Sequence, residues 1–351
     1  MLPKVSIVVP ARNEEKVIEN CLKSLLKIKY PRDMLEIIVA TDKNNTDRTL
    51  EICKKYAPKI KVILTNSTHC KAEALNAVLP KLKGEIVGII DADCIVDKNC
   101  LMTAVKRFSD EKVVGVMGFI KPYNAKQNII TRVIASELNV TFFQELIFDK
   151  LGININLLGR NMFLRKDILV KISGFDEYSY LEDIELSARL RRRKYKTVLE
   201  QKALTHDECP SSLSGVLNQK HRFYRGLIRI RRKLPKSTFK ETVEDYLHSF
   251  NVLVNSFSCL FLFILIINLL FFKLSPLILS LTLSFVAIQF LLFSISNIYF
   301  KAPLENLLVF PVFVVMFYLN FYSALKATYS EREKKTIKWY RASRTGVITD
   351  K

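Results

Sequence analysis

Ile86-Val87-Gly88-Ile89-Ile90-Asp91-Ala92-Asp93 is a short, unbroken apolar run closed by two carboxylates. A run of that length without polar alternation, rich in isoleucine and valine, reads as a strand buried on both faces. Working outward, the same kind of run recurs at Val5–Val9, Leu35–Thr41 and Lys61–Leu64. Helical patterns separate these runs. Glu14 to Leu26 puts Val17, Ile18, Cys21, Leu22, Leu25 and Leu26 on one face, and Asp47–Tyr56 and Lys71–Lys81 follow, the last closed by the Lys83-Gly84 turn. Repeated β–α units over residues 4 to about 120 predict an α/β fold, a mainly parallel sheet with helices on both faces. Ligands of such sheets gather at the carboxyl ends of the strands. The residues found there are polar: Arg12-Asn13-Glu14, Asp42, and Asp91-Ala92-Asp93.

The region from about 120 to 235 is mixed. Ile129–Leu151 reads as an amphipathic helix, Leu157–Leu164 and Lys196–Leu199 as strands, and Glu182–Arg193 as a helix with Ile184, Leu186 and Leu190 on one side. Three apolar stretches follow, at about 251–272, 274–296 and 304–325. Each is near the ~20 residues a helix needs to cross a bilayer. Three such runs in succession would leave a soluble domain without a polar surface, so they are read as membrane helices. The organisation expected is a catalytic domain at 1–235 with a basic juxtamembrane end, a membrane region at 245–329 and a basic tail at 330–351.

The formal net charge of +20 is unevenly spread: between Asn251 and Leu325 only Lys273, Lys301 and Glu305 are charged. Basic clusters beside apolar stretches are drawn to anionic lipid headgroups, which makes a membrane the expected partner and nucleic acid an unexpected one. Nine Lys or Arg lie between 220 and 240 and seven between 332 and 351. The positive-inside tendency puts both flanks in the cytoplasm, whereas three full crossings would separate them, so one stretch is open to a re-entrant reading. Met1–Pro10 carries no secretory signal pattern. Seven cysteines without a Cys-x-x-Cys pair indicate neither zinc site nor disulfide framework, and a soluble part in reducing cytosol.

Asp91 and Asp93 flank a small residue directly after a strand. Two carboxylates so spaced can approach one hard cation, Mg²⁺ or Mn²⁺, which bridges readily to phosphates. Glu182-Asp183 opens a helix and has two readings. Acidic residues favour first turns for capping and dipole reasons, and Asp183 is equally a candidate general base for a hydroxyl nucleophile. Gln219-Lys220-His221-Arg222-Phe223 likewise offers a guanidinium suited to a diphosphate and an aromatic ring for a sugar face, or a basic helix lying on headgroups. The four histidines show no ligand spacing, and neither a P-loop nor a serine-hydrolase elbow occurs.

Together these motifs resemble the family 2 glycosyltransferases of the GT-A (Rossmann-like) fold, on the branch with cellulose, chitin, hyaluronan and poly-N-acetylglucosamine synthases and ceramide glucosyltransferases. The resemblance covers residues 4 to about 235. Val5–Glu15 is similar to the family's opening strand and nucleotide-contacting turn, Ala40-Thr41-Asp42 to its second motif, and Lys71-Ala72-Glu73-Ala74-Leu75-Asn76 to the segment lining the donor pocket. Asp91-Ala92-Asp93 stands where the family binds its cation and diphosphate. Gly159-Arg160-Asn161 and Gly174-Phe175-Asp176-Glu177 resemble the acceptor side, and Gln219-Lys220-His221-Arg222-Phe223 resembles the Q-x-x-R-W motif.

The resemblance implies inverting, metal-dependent transfer of a sugar from a nucleotide donor, UDP-linked, to a saccharide or lipid acceptor, in a multi-pass protein of the cell membrane with its catalytic domain in the cytoplasm. It implies donor binding by Pro10, Arg12, Glu14, Asp42, Lys71, Asp91 and Asp93, with the last two on Mg²⁺ or Mn²⁺. It assigns the base to Asp183, leaving-group assistance to Arg222, and acceptor binding to Gly159, Asn161, Glu182, Gln219 and Phe223. The chain departs from the pattern in three ways. Phe223 replaces a tryptophan, an extra residue lies around Lys43-Asn44, and no apolar segment precedes the catalytic domain. Three apolar stretches are also few for a chain-extruding channel.

Overall fold

The computed structural model describes residues 2–67, 70–233 and 276–333, with Gly346 and Ile348 besides. The expected apolar stretch at 251–272 lies outside these residues, as does most of the basic tail. Eight strands form one sheet: β1 (Val5–Ala11), β2 (Leu35–Asp42), β3 (Lys61–Thr65), β4 (Ile86–Ile90), β5 (Ile95–Val96), β6 (Val113–Pro122), β7 (Asn161–Arg165) and β8 (Lys196–Asp207). Their order is β3-β2-β1-β4-β7-β6-β8-β5. β1, β2, β3 and β4 pair in parallel, as the β–α reading requires. β6 and β8 are parallel as well, with β7 antiparallel between β4 and β6 and β5 antiparallel on β8. The sheet is thus mixed, parallel through its first half.

Alternation along the strands divides the core. Val5, Ile7, Val9, Ile86 and Ile90 face α1 (Ile18–Leu25) and α4 (Cys100–Lys106), while α2 (Thr49–Lys54) adds Cys53. Val8, Ile38, Val87 and Ile89 face the opposite layer. That layer comprises α3 (Lys71–Val78), α5 (Ile129–Lys150), α6 (Lys166–Lys171) and α7 (Glu182–Arg192). Each fully buried Leu or Ile contributes about 1.5–3 kcal/mol relative to exposure, which fixes the strand register more firmly than local propensity does.

Two expected strands differ from those observed. The run at Leu157–Leu164 joins the sheet only from Asn161. Ahead of it, the backbone N–H groups of Leu157 and Gly159 donate to Ser187 Oγ (2.9 Å) and Asp183 Oδ2 (2.8 Å), so that segment is tied to α7 rather than to a ladder. The run at Lys196–Leu199 instead continues to Asp207, past the polar Glu200-Gln201-Lys202 that hides it in sequence, with a register shift opposite Gly118/Phe119.

Helix α8 (Leu213–Lys233) packs with the apolar helix α10 (Phe310–Arg332), while a second apolar helix, α9 (Pro276–Tyr299), packs on α5. Val133 and Ile134 of α5, Val216 of α8, Phe293 of α9 and Phe310, Phe313 and Met316 of α10 share one cluster. Both apolar helices are long and apolar enough to cross a bilayer, with mean hydropathy 1.9. Only 22% and 35% of their most apolar windows is buried, so neither resembles the core helix of a soluble domain.

Candidate active site

The antiparallel entry of β7 creates the site. Ile90 at the end of β4 pairs with Asn161 at the start of β7. The residues leaving β4, Asp91 to Asp93, therefore lie beside those entering β7, Gly159 and Arg160. At this junction Lys71 Nζ, from the first turn of α3, donates to Asp91 Oδ1 (2.5 Å) and to the Gly159 carbonyl (2.9 Å), and lies 3.4 Å from Glu182 Oε1. Asp183 Oδ2 accepts the Gly159 N–H at 2.8 Å, and its Oδ1 accepts the N–H of Ile184 at 2.8 Å. Both readings of Asp183 are thus compatible with its position: it opens α7 and faces the cleft.

Electrostatics here follow from crowding several carboxylates round one ammonium. Burial alone would push the Lys71 pKa down, but Asp91, Glu182 and Asp183 outweigh it and raise it. Burial pushes the Glu182 carboxyl up, Lys71 opposes that, and the adjoining Asp183 adds to it. A negative excess remains. Cys21 and Cys94 behind the site have their thiols pushed well up, by burial and then by Asp93 and Asp91, which leaves them protonated and inert.

The donor-side wall is built by two loops laced together. Asn13, at φ 55°, donates its N–H to Asn45 Oδ1 (2.7 Å) and accepts from the N–H of Thr46 (2.9 Å). Pro10, Arg12 and Glu14 line the cleft on this side. Asp42 does not. Its side chain is sealed at 0% exposure, accepting from the Asn44 N–H (2.8 Å) with Arg12 Nε at 3.4 Å from Oδ2, so it stands one layer behind Arg12.

The cleft, about 1110 Å³, is lined by Lys71, Asp91, Asp93, Gly159, Glu182 and Asp183, and also by Gln219, Arg222 and Phe223 of α8. Of the expected acceptor residues only Asn161 stays out. It is fully buried and donates to the carbonyls of Phe119 (3.2 Å) and Ala203 (2.8 Å), holding three strands together.

Two features of the site escaped the sequence reading. Arg160 pairs with the buried Asp207, and its pKa is raised, burial opposing and Asp207, Cys94, Asp93 and Asp91 favouring the charge. Asp207 ends a strand within His206-Asp207-Glu208, the same polar-after-strand signal that exposes Asp91, but the apolar pattern in sequence stops at Leu199, well before it. Tyr180 lines the cleft beneath the guanidinium of Arg229, 4.4 Å from its ring centroid.

A family model, glycosyltransferase like family 2, matches residues 3–226, the span that builds this cleft. The chain belongs to glycosyltransferase family 2. Among relatives of this glycosyltransferase, the probable glycosyltransferase YdaM of Bacillus subtilis (strain 168) is 32% identical over 238 residues, 64% of this chain and 55% of that protein. The β-monoglucosyldiacylglycerol synthase of Nostoc sp. (strain PCC 7120) is 32% identical over 231 residues, 64% of this chain and 49% of that one. The chain spans about half the length of these curated relatives. In fold, the glycosyltransferase is similar to the mannosyltransferase PcManGT of Pyrobaculum calidifontis, solved with GDP-Man and Mn²⁺, at a TM-score of 0.64 and 18% identity, over 94% of this chain and 88% of that one. The expected α/β, GT-A architecture is borne out.

Proposed function

We propose that this enzyme transfers a sugar from a nucleotide donor, UDP-linked, to a hydroxyl of a lipid-borne acceptor, with inversion at the anomeric carbon. The observation that carries the reading is the convergence of Asp91, Asp93 and Asp183 in one cleft that α8 also lines, α8 itself packing against the apolar helix α10. Arg12 and Lys71 are placed for the donor's anionic groups. Asp183 takes the proton from the acceptor oxygen as that oxygen attacks, and hydrogen bonds from Gly159 and Ile184 hold the carboxylate ready. Arg222 steadies the departing diphosphate, and Gln219 and Phe223 shape the acceptor side. One displacement by an external nucleophile turns an α-linked donor into a β-linked product.

A divalent cation fits the donor set. The carboxylates outnumber the ammonium, while among the described residues no group of three or more His, Cys, Asp or Glu forms a closed ligand shell. Asp91 and Asp93 would hold Mg²⁺ or Mn²⁺. When bound, the ion neutralises charge growing on the leaving group. Support for UDP is the resemblance alone. The lipid acceptor draws on the Nostoc relative, a β-monoglucosyldiacylglycerol synthase, and on α9 and α10, which would place the protein in the cell membrane as a multi-pass protein with the basic flanks and catalytic domain cytoplasmic.

The test supplies membranes containing the protein with a panel of labelled nucleotide sugars and Mn²⁺ or Mg²⁺, then measures the size and solvent extractability of the product. One defined, solvent-extractable species is expected. A polymer ladder would overturn the lipid acceptor, and no transfer from any donor would overturn the activity.

A further inference from the structure

Asn320 of α10 lines the same cleft as Asp183 and Arg222, although it belongs to a helix apolar enough for a bilayer. It is 2% exposed, and its Oδ1 is buried with no hydrogen-bond partner among the described residues. A buried amide carbonyl left unpaired is costly, and native proteins rarely keep one without a use. The surroundings say what would pair with it. Ile134 of α5 and Val216 of α8 line the cleft and also pack in the cluster containing Met316, one turn before Asn320. Leu138 continues this apolar wall on α5. The cation nearest in sequence to that wall, Lys220, already faces Glu137 Oε1 at 2.5 Å. Its charge is compensated within the protein.

We propose that Asn320 belongs to the acceptor subsite and accepts a hydrogen bond from a hydroxyl of a neutral lipid headgroup, the acyl portion lying along Ile134, Leu138 and Val216. The inference rests on the proposed transferase activity and deepens it. It names the acceptor class as an uncharged, hydroxyl-bearing lipid rather than a lipid phosphate, and it makes an apolar helix part of the active site. Asn320 reads the acceptor and takes no part in donor binding.

The experiment uses the full chain in phosphatidylcholine vesicles containing either dioleoylglycerol or a polyprenyl phosphate. Asn320→Leu and Asn320→Gln are compared with wild type for transfer, UDP affinity and thermal unfolding. Asn320→Leu is expected to raise KM for dioleoylglycerol about tenfold, the equivalent of about 1.4 kcal/mol, with UDP affinity unchanged. Its Tm without lipid should equal or exceed wild type, because the unpaired carbonyl is gone. Asn320→Gln, which restores a carbonyl, should recover part of the loss. Dioleoylglycerol should raise the Tm of wild type but not of Asn320→Leu. Unchanged KM in Asn320→Leu, joint loss of UDP and lipid affinity, or selective use of the polyprenyl phosphate would each overturn the inference. A wild type that gains Tm from dioleoylglycerol yet transfers no sugar refutes the activity and leaves the lipid subsite supported. A wild type whose Tm ignores the lipid refutes the subsite.

Discussion

Gly159→Ala tests the site where its groups are closest. A Cβ there would stand 2.9 Å from Lys71 Nζ, 3.3 Å from Asp183 Oδ2 and 3.4 Å from Glu182 Oε1. Gly159 is not among the residues of positive φ, so alanine meets no backbone strain. The obstruction is therefore purely one of space, and the atom struck hardest is the tip of a flexible side chain. Lys71 can retreat, but only by loosening its bonds to Asp91 (2.5 Å) and the Gly159 carbonyl (2.9 Å). Both are charge-assisted; losing either one puts about 1.5–3 kcal/mol of stability at risk. Both side chains keep some solvent contact, 16% and 27%, which screens the pair and puts the cost at the low end. A loss near 1.5 kcal/mol lowers Tm by about 3–6 °C in a domain of this size. Catalysis is far more sensitive, because displacing reacting groups by about 1 Å costs on the order of 10²-fold. Labelled-sugar transfer and thermal unfolding should thus show kcat down about a hundredfold with Tm down only a few degrees. If kcat stays within about threefold of wild type, the junction of Lys71, Asp91 and Asp183 is not where the chemistry occurs.

Three further outcomes follow from the same geometry. Asp183→Asn should abolish transfer while UDP affinity, read by titration calorimetry, stays within about twofold, since the carboxylate acts only on the acceptor proton; normal turnover would remove Asp183 as base. Chelation with EDTA should stop transfer and added Mn²⁺ or Mg²⁺ restore it, and an unaffected rate would exclude a divalent ion from the reaction. Glu331→Ala should destabilise the enzyme by about 3–5 kcal/mol, as breaking a buried ion pair does, because Glu331 joins Arg225 (2.6 Å, 4% exposed) and Arg229 (2.8 Å) of α8 to α10. Most of the loss would come from the buried Arg225 contact, Arg229 being partly solvated at 36%. Thermal unfolding in detergent measures it, and an unchanged Tm would mean that α8 and α10 are joined by apolar packing alone.

Much of this site is legible residue by residue. Asp91 and Asp93 stand out because a doubly buried strand must end before a charge can appear, so the first carboxylates after it mark the sheet's ligand edge. Arg12 and Glu14 are found by the same argument at the end of β1. Asp42 passes that test too, yet its carboxylate is sealed behind Arg12, because a strand end does not say which of its polar groups reaches solvent. Asn161 lies away from the cleft for a related reason. Its motif points to the acceptor, while its amide bonds carbonyls from two other strands. Asn320 carried no signal at all, since one asparagine in an apolar helix is indistinguishable from any other polar interruption.

Periodicity along the chain records how each residue is buried by its neighbours in sequence, and from it come the parallel first half of the sheet, the helices over it and the apolar segments after it. The chemistry available, several carboxylates with a few guanidinium and ammonium groups, is equally a property of the chain. Which of those groups meet was settled by non-local pairing. Strand β7 runs against β4 and so delivers Gly159 and Asp183 to Asp91, and α8 packs on α10 and so brings Asn320 to the same cleft. Neither orientation has a local cause, because it is the free energy of burying whole faces against one another that selects them.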